Sequence, residues 1–349
     1  MNRSLLFCTC LLFPTFTFAQ DAANKSKFAI TDPAQAGIDF AYQGEYSGFA
    51  QFPADDSGTR GLQVVALGDG NFQAVEYRNG LPGEGGHWSN SIQYTGTLDG
   101  EFLRFRNEER SVTVRNGFAV IRDPAGRQLG FLSKVQRVSP SMGLAPPPDA
   151  TVLFNGKLTD HLVNAKLTPD GQLDMGFDTK EPFGDFRLHV EFRLPFMPYA
   201  TGQARGNSGV YVQGRYEVQI LDSFGLEGAF NECGSLYRTR PPELNMCFPP
   251  LSWQTYDIYF TAARFNASGE KTSNARFTVL LNGVSVQSDI ELQNKTGAGQ
   301  KEGPDPRPIK FQNHGNPVSY RNLWILPGSH RPTISSPGTS SSVQCWNCR

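Results

Sequence analysis

Two short segments far apart in this chain carry the side chains best suited to chemistry. In residues 216–222, Glu217 and Gln219 stand among Val218, Ile220 and Leu221; in residues 308–315, Lys310, Gln312 and His314 alternate with Ile309, Phe311 and Asn313. Alternate residues of a strand share a face, so each segment presents one polar row. Burying such groups without partners costs roughly 2–7 kcal/mol for a neutral polar group, a cost avoided if both rows face a cleft. Side by side, the strands would present a carboxylate, amides and an imidazole that can act as base, acid or metal ligand near neutral pH. For any one of these residues a plain solvated strand face is the competing reading, and it is their combination that favours a site. Asp222 ends the first segment and suits either a cap of the Ser223-Phe224-Gly225 turn or a functional role. Glu217 and Asp222, five residues apart, lie on opposite faces of a regular strand and form a catalytic carboxylate pair only across a bulge. Asn207-Ser208-Gly209 is an anion- or sugar-binding turn, or simply the entry to the strand that follows.

The elements that must position these groups are strands. Among 349 residues there are 36 glycines, 24 prolines and 26 phenylalanines, and no long amphipathic helical stripe, which points to an all-β chain. A formal net charge of −1, with no basic run interleaved with aromatics, argues against nucleic acid as a partner. Residues 39–139 alternate in short runs such as 62–67, 72–77 and 102–105, with Asn116-Gly117 in the turn between 111–114 and 118–121, the pattern of a small β-domain. Pro-rich residues 140–150 read as a stiff linker. The second domain, 151–327, holds the strictly alternating run 186–194, which places His189 on an exposed face, then 209–213 and 216–221 around a two-residue Gly214-Arg215 turn. Runs at 253–261, 275–281 and 284–287 follow, the last two flanking Asn282-Gly283, with 308–313 and 318–326 at the end. Many strands with long loops predict a two-sheet sandwich of jelly-roll type.

Residues 1–19 carry Arg3, an apolar run and Ala19 at the expected cut, which predicts a secretory signal and a soluble periplasmic or secreted protein without a membrane anchor. Residues 20–38 read as a flexible leader and 328–349 as a disordered tail. In an oxidising compartment Cys233 and Cys247 are expected to form a disulfide, contributing about 3 kcal/mol for a loop of roughly fifteen residues. Cys345 and Cys348 have redox-motif spacing, but in a Ser/Pro/Gly tail they suit an exposed disulfide or thiol pair better.

From residue 153 to 327 the chain resembles the 3-keto-disaccharide hydrolases, the 3-keto-glucoside 1,2-lyase / 2-hydroxy-glucal hydratase domains. The resemblance rests on Leu153-Phe154-Asn155-Gly156, Gly184-Asp185-Phe186 with Glu191-Phe192-Arg193-Leu194, Asn207-Ser208-Gly209, and residues 216–222. Gly234-Ser235-Leu236-Tyr237, Trp253 with Thr255-Tyr256-Asp257, Leu281-Asn282-Gly283, Gln312-Asn313-His314-Gly315 and residues 321–325 complete it. It implies a concanavalin-like jelly roll acting on glycosides whose C3 hydroxyl is oxidised. Such a reaction needs a base near C2 and an electrophile at the C3 oxygen. By this resemblance His314 is the first candidate base, or a ligand to a divalent metal serving as electrophile. Glu217 is the second candidate for either role, and Tyr237 a proton donor to the leaving oxygen. Asn207, Ser208, Gln219, Asp222, Lys310 and Gln312 are the candidate contacts to sugar. The chain departs from the family pattern at Asn313, where Asp is usual beside the histidine, and at Gln213, where Arg is common. The preceding β-domain is similar to one that accompanies the family in some exported proteins. A non-catalytic sugar-binding jelly roll and a two-carboxylate glycosidase, whose carboxylates would stand about 5–9.5 Å apart, are the alternatives.

Overall fold

Eight short segments between residues 44 and 135 form strands, and in the computed structural model they close into a barrel. The structure describes residues 25–52, 57–330 and 332; the expected signal, the Cys345/Cys348 motif and most of the expected tail lie outside the described residues. The barrel strands are β1 (Gly44–Ala50), β2 (Gly58–Gly68), β3 (Asn71–Arg78), β4 (Ser91–Asp99), β5 (Phe102–Arg106), β6 (Ser111–Arg115), β7 (Phe118–Arg122) and β8 (Gln128–Val135). Each pairs antiparallel with its neighbour and β8 returns to β1, so no sheet edge is left open. Leu62, Val64, Phe72, Leu103, Phe105, Val112, Val114, Ile121 and Leu132 fill the interior. Asn116 and Gly117 both have positive φ (50° and 77°) and set Arg115 opposite Phe118, as their sequence leads one to expect.

Residues 151–327 fold as a sandwich. Its strands are β9 (Thr151–Phe154), β10 (Leu162–Val163), β11 (Phe177–Thr179), β12 (Phe186–Arg193), β13 (Ser208–Val212), β14 (Tyr216–Ile220) and β15 (Trp253–Thr261). They continue with a small hairpin, β16 (Arg264–Phe265) and β17 (Lys271–Ser273), then β18 (Ala275–Leu281), β19 (Val284–Leu292), β20 (Lys310–Phe311) and β21 (Ser319–Pro327). One sheet has the order β10-β11-β20-β13-β14 and the other β19-β18-β15-β12-β21-β9. Alternate residues of both sheets meet in the core, where Phe311 packs on Tyr320 and Tyr216 on Phe260, with ring centroids 5.4 and 5.7 Å apart. Against expectation the β13–β14 turn has three residues, because Gln213 and Gly214 both take positive φ and Val212 pairs with Tyr216.

Three further expectations are corrected. The described part of the leader is docked, not loose: Ile30 exchanges backbone hydrogen bonds with Phe196 (3.0 and 2.8 Å), and the rings of Phe40 and Phe196 lie 5.2 Å apart. His189 is fully buried, because the linker lies across the outward face of its sheet. Trp324 Nε1 and Asn322 Nδ2 donate to Leu144 O (3.1 Å each), and Gly143 N donates to Glu191 Oε1 (2.6 Å). Under that strap His189 stacks on Trp324 (5.2 Å) and lies 3.2 Å from Asp257 and 3.7 Å from Glu191. Finally, Cys233 and Cys247 are free, buried thiols and form no disulfide. They serve as apolar filling of the sandwich core, with Cys233 Sγ 3.2 Å from the Tyr256 hydroxyl. The long loop around them is closed instead by Asn245 Nδ2, which donates to Ser223 O and Leu226 O (2.7 and 2.9 Å).

Candidate active site

The five-stranded sheet brings the two polar segments together, though not as direct neighbours. β13 lies between them, pairing Tyr211 with Lys310 on one side and Glu217 on the other. One row on the outward face therefore runs Lys310, Tyr211, Glu217. The next row runs Gln312, Gly209, Gln219, with Gln312 N donating to Gly209 O (2.9 Å). Beyond β14 the chain returns alongside, Val218 bridging Leu236, Tyr237 N donating to Glu217 O and Gln219 N to Ser235 O (3.0 Å each). This adds Tyr237 to the first row and Ser235 to the second.

Gly209 makes room for the central carboxylate: a Cβ there would lie 2.5 Å from Glu217 Oε1. Glu217 is buried, and its Oε2 has no hydrogen-bond partner. Burial disfavours the charged form and pushes its pKa up to about 7, against the opposing hydrogen bond from Tyr211. The same burial, together with the Glu217 charge and hydrogen bond, raises the Tyr211 hydroxyl well above its ordinary range, so it remains a proton donor. Asn207 Oδ1, Ser235 Oγ and Gln312 Oε1, on the same face, are also buried without partners. Buried polar atoms are normally paired; four unpaired ones on one face make a surface built for a polar ligand. The arrangement offers a base near neutral pH, phenolic donors on either side, and amide and hydroxyl groups to hold a polyhydroxylated molecule.

Not every expected residue belongs to it. Ser208 shares the core face with Val210 and Val212, and its hydroxyl bonds Gln312 O (2.7 Å) and the Tyr320 hydroxyl (2.6 Å), so alternation removes it from the ligand face. Asp222 is consumed by structure. Its Oδ2 accepts from Arg205 Nε (2.7 Å) and its Oδ1 from Phe224 N (3.3 Å), which is the turn-capping reading with a buried ion pair added. β20 ends at Phe311, so His314 stands exposed in the following turn, at the rim and not on the strand. Asn313, also exposed, accepts from Gly315 N (2.9 Å). Lys310 is exposed on the first row. Gln213 is buried in the β13–β14 turn, donating to Phe183 O (2.8 Å) and accepting from Arg215 (2.8 Å). Tyr237 is half-buried at the far end of the first row.

The metal expectation named Glu217, on the strand, and His314, in the turn after β20. Among the described residues no three His, Cys, Asp or Glu side chains cluster as metal ligands, and the donors around Glu217 are amides and hydroxyls with a single carboxylate. Among the described residues, too, no helix is long and apolar enough to cross a membrane.

Sequence reasoning missed Tyr211, Ser235 and Gln203. Tyr211 had a usable signal, since it alternates with Gly209 on the strand preceding Glu217. Ser235 sits in a turn and Gln203 in a single 3-10 turn (Gly202–Ala204), where no strand periodicity assigns a face. Gln203 Oε1 accepts from Gln219 Nε2 (3.0 Å) and Asn207 Nδ2 (3.3 Å), and its Nε2 donates to Asn231 O (2.8 Å).

Comparison with known proteins locates the match in this sandwich. The family described as the 3-keto-alpha-glucoside-1,2-lyase-like domain matches residues 149–326, just over half of the chain. Solved structures that the chain is similar to are candidate glycosyl hydrolases of Parabacteroides distasonis ATCC 8503. One, at 34% identity, covers 52% of this chain and 84% of its own with a TM-score of 0.48. A second, at 18% identity, covers 52% and 94% with a TM-score of 0.39. Among curated proteins no sequence matches.

Proposed function

Because this chain belongs to the 3-keto-alpha-glucoside-1,2-lyase-like family, we propose that its five-stranded sheet is the active surface of a carbohydrate-active hydrolase that opens 3-keto-glucosides by elimination and hydration. The ketone at C3 acidifies the C2 hydrogen. Glu217 takes that proton, the C2–H electron pair becomes the C1=C2 bond, and the C1–O bond breaks with its pair leaving on the aglycone oxygen. Tyr237 supplies the proton to that oxygen, and the Tyr211 hydroxyl donates to the charge that develops on the C3 oxygen. Water then adds its hydroxyl to C1 and gives its proton back to the Tyr237 oxygen, while the proton held by Glu217 returns to C2, so the net result is hydrolysis. Asn207, Gln219 and Gln312 hold sugar hydroxyls, and Lys310 and His314 stand at the rim, where the aglycone passes.

The observation that carries this reading is Glu217 itself, a buried carboxylate with an unpartnered oxygen that ionises near neutral pH. A merely sugar-binding face has no need of it, and an unpaired buried acid is a recognised mark of acid/base sites. A two-carboxylate glycosidase is disfavoured because Asp222 is tied to Arg205. Asp178, the other acid on the first row, is three strands from Glu217, about 14 Å at ordinary strand spacing. The secretory signal read in residues 1–19 places the reaction outside the cytoplasm in this proposal.

Purified protein assayed on a 3-keto-glucoside and on its unoxidised parent tests the reading. Release of aglycone from the keto sugar alone is expected, with transient 2-hydroxy-glucal absorbance; cleavage of the parent glucoside would overturn it.

A further inference from the structure

The turn end of the hairpin that carries Glu217 gathers positive charge with no carboxylate to meet it. Arg215, in the β13–β14 turn, is only 3% exposed. Its Nη1 donates to Gln213 Oε1 (2.8 Å) and its Nε to Lys301 O (3.3 Å), both neutral acceptors, and its Nη2 bonds nothing among the described residues. Arg307 stands beside it: Arg307 Nη1 donates to Gln300 Oε1, and Gln300 N donates in turn to Gly214 O (2.9 Å), next to Arg215. Among the described residues neither arginine pairs with a carboxylate. Glu302, on the same segment, is taken by the Tyr216 hydroxyl and by Lys271 (2.8 Å), while Asp305 is exposed and bonds neither arginine.

A buried arginine is ordinarily paired, and two guanidinium groups repel each other. Burial, and after it the Arg307 charge, lower the Arg215 pKa, as expected of a cation short of a counter-ion. Local structure keeps the approach to it clear. A Cβ at Gly303 would lie 3.4 Å from Arg215 Nη2, and glycine leaves that space empty. The free N–H groups of the two arginines form forks whose geometry matches an oxyanion. Their place relative to Glu217 is fixed, since Thr296 N donates to Arg215 O (3.2 Å) and Thr296 Oγ1 accepts from Glu217 N (2.7 Å). Two residues apart, Arg215 and Glu217 are separated by about 7 Å at ordinary strand rise, within reach of one sugar ring and its substituent.

We propose that Arg215 and Arg307 form an anion site for a carboxylate or sulfate group on the bound sugar, which makes acidic 3-keto-glycosides the preferred substrates. That the anion arrives on a sugar rests on the five-stranded sheet being the active surface; the anion site itself does not.

The full chain, carrying nitrogen-labelled arginine, is titrated at constant ionic strength with methyl glucuronide, a sulfated methyl glucoside, sodium sulfate and, as neutral control, methyl glucoside. The Arg215 and Arg307 side-chain signals are expected to shift and saturate with the two acidic sugars and with sulfate, and to stay still with methyl glucoside. Arg307→Gln should weaken the acidic sugars about tenfold, the loss of one charge-assisted contact, and Arg307→Lys should restore part of it. Gly303→Asp, which sets a carboxylate beside Nη2, should abolish sulfate binding without lowering the melting temperature. In turnover, a 3-keto-glucuronide should show a KM about tenfold below that of the neutral 3-keto-glucoside at similar kcat, and Arg307→Gln should remove the difference. Signals that move with none of the acidic probes overturn the proposal. Movement with sulfate alone, or equal KM for acidic and neutral keto sugars, overturns the site's part in sugar recognition. Absence of turnover with either keto sugar, alongside the expected titration, defeats the functional reading and leaves the anion site standing.

Discussion

The two sheets of the sandwich each bury ionisable groups on the face turned away from the core, and they treat them in opposite ways. On the six-stranded sheet, His189 lies between Asp257 and Glu191, Arg321 Nε donates to Glu191 Oε2 (2.7 Å), Arg187 pairs with Asp257 (2.9 Å), and the linker covers the whole. Burial by itself would lower the His189 pKa and raise that of Glu191. Their mutual contacts outweigh it, raising His189 and holding Glu191 at about 2. On the five-stranded sheet Glu217 has only Tyr211 for a partner and titrates near 7. Charged groups buried for architecture are paired; the one left short of partners marks the working surface.

The largest expected effect separates the two faces outright. Glu217→Gln should lower kcat on a 3-keto-glucoside by about 10²–10⁴-fold, the usual range for a general base. Above pH 7 it should also stabilise the fold, by up to about 3 kcal/mol, since a carboxyl whose pKa rises from 4.5 to about 7 opposes folding once ionised. Comparable turnover in wild type and variant would end the assignment. On the other face, Asp257→Asn leaves Arg187 without its charge partner and His189 with Glu191 alone. It should cost about 3–5 kcal/mol in denaturant unfolding while kcat of the remaining folded protein stays within twofold; a selective loss of kcat would blur the contrast.

A pH series sharpens it further. Activity should rise as pH climbs through about 7, where Glu217 becomes the base. Stability should move the other way. The folded pKa values of Glu217 and His189 are both raised, so the stability each contributes is complete below its unfolded pKa and is lost as pH rises through the folded one. Thermal melts of Glu217→Gln and His189→Gln, each flatter with pH than wild type, would apportion the slope. The smallest effects belong to the margins. Trp324→Phe removes one bond to the linker and should cost about 1 kcal/mol. His314→Ala, at the exposed rim, should change KM a few-fold and leave the melting temperature alone; a collapse of kcat in that variant would return the base to His314.

Much of the fold was legible because its signals are local. Asn116-Gly117 and Asn282-Gly283 state their turns, since positive φ at two successive positions selects those residues. Glu217 and Gln219 declare their face by alternating with Val218 and Ile220. Failures came where a neighbour distant in sequence decides. The alternation of residues 186–193 gives His189 an outward face, but only the strap at 139–144 determines that this face is dry. Cys233 and Cys247 have the spacing of a disulfide, yet their surroundings make them core filling. Ser208 entered among the site residues through the 207–209 turn and the family motif, and His314 through the alternating row; the first faces the core and the second lies past the strand's end.

By itself the sequence determined an all-β chain of two units, the polar rows at 216–222 and 308–315, and the family motifs of the second unit, because period and turn chemistry act over a few residues. Only the tertiary structure decided that β13 would stand between the two rows, that Arg205 would take Asp222 out of play, and that Glu217 would be buried short of partners. Those outcomes depend on register and on what covers each face, and both are set by contacts between segments that no local pattern encodes.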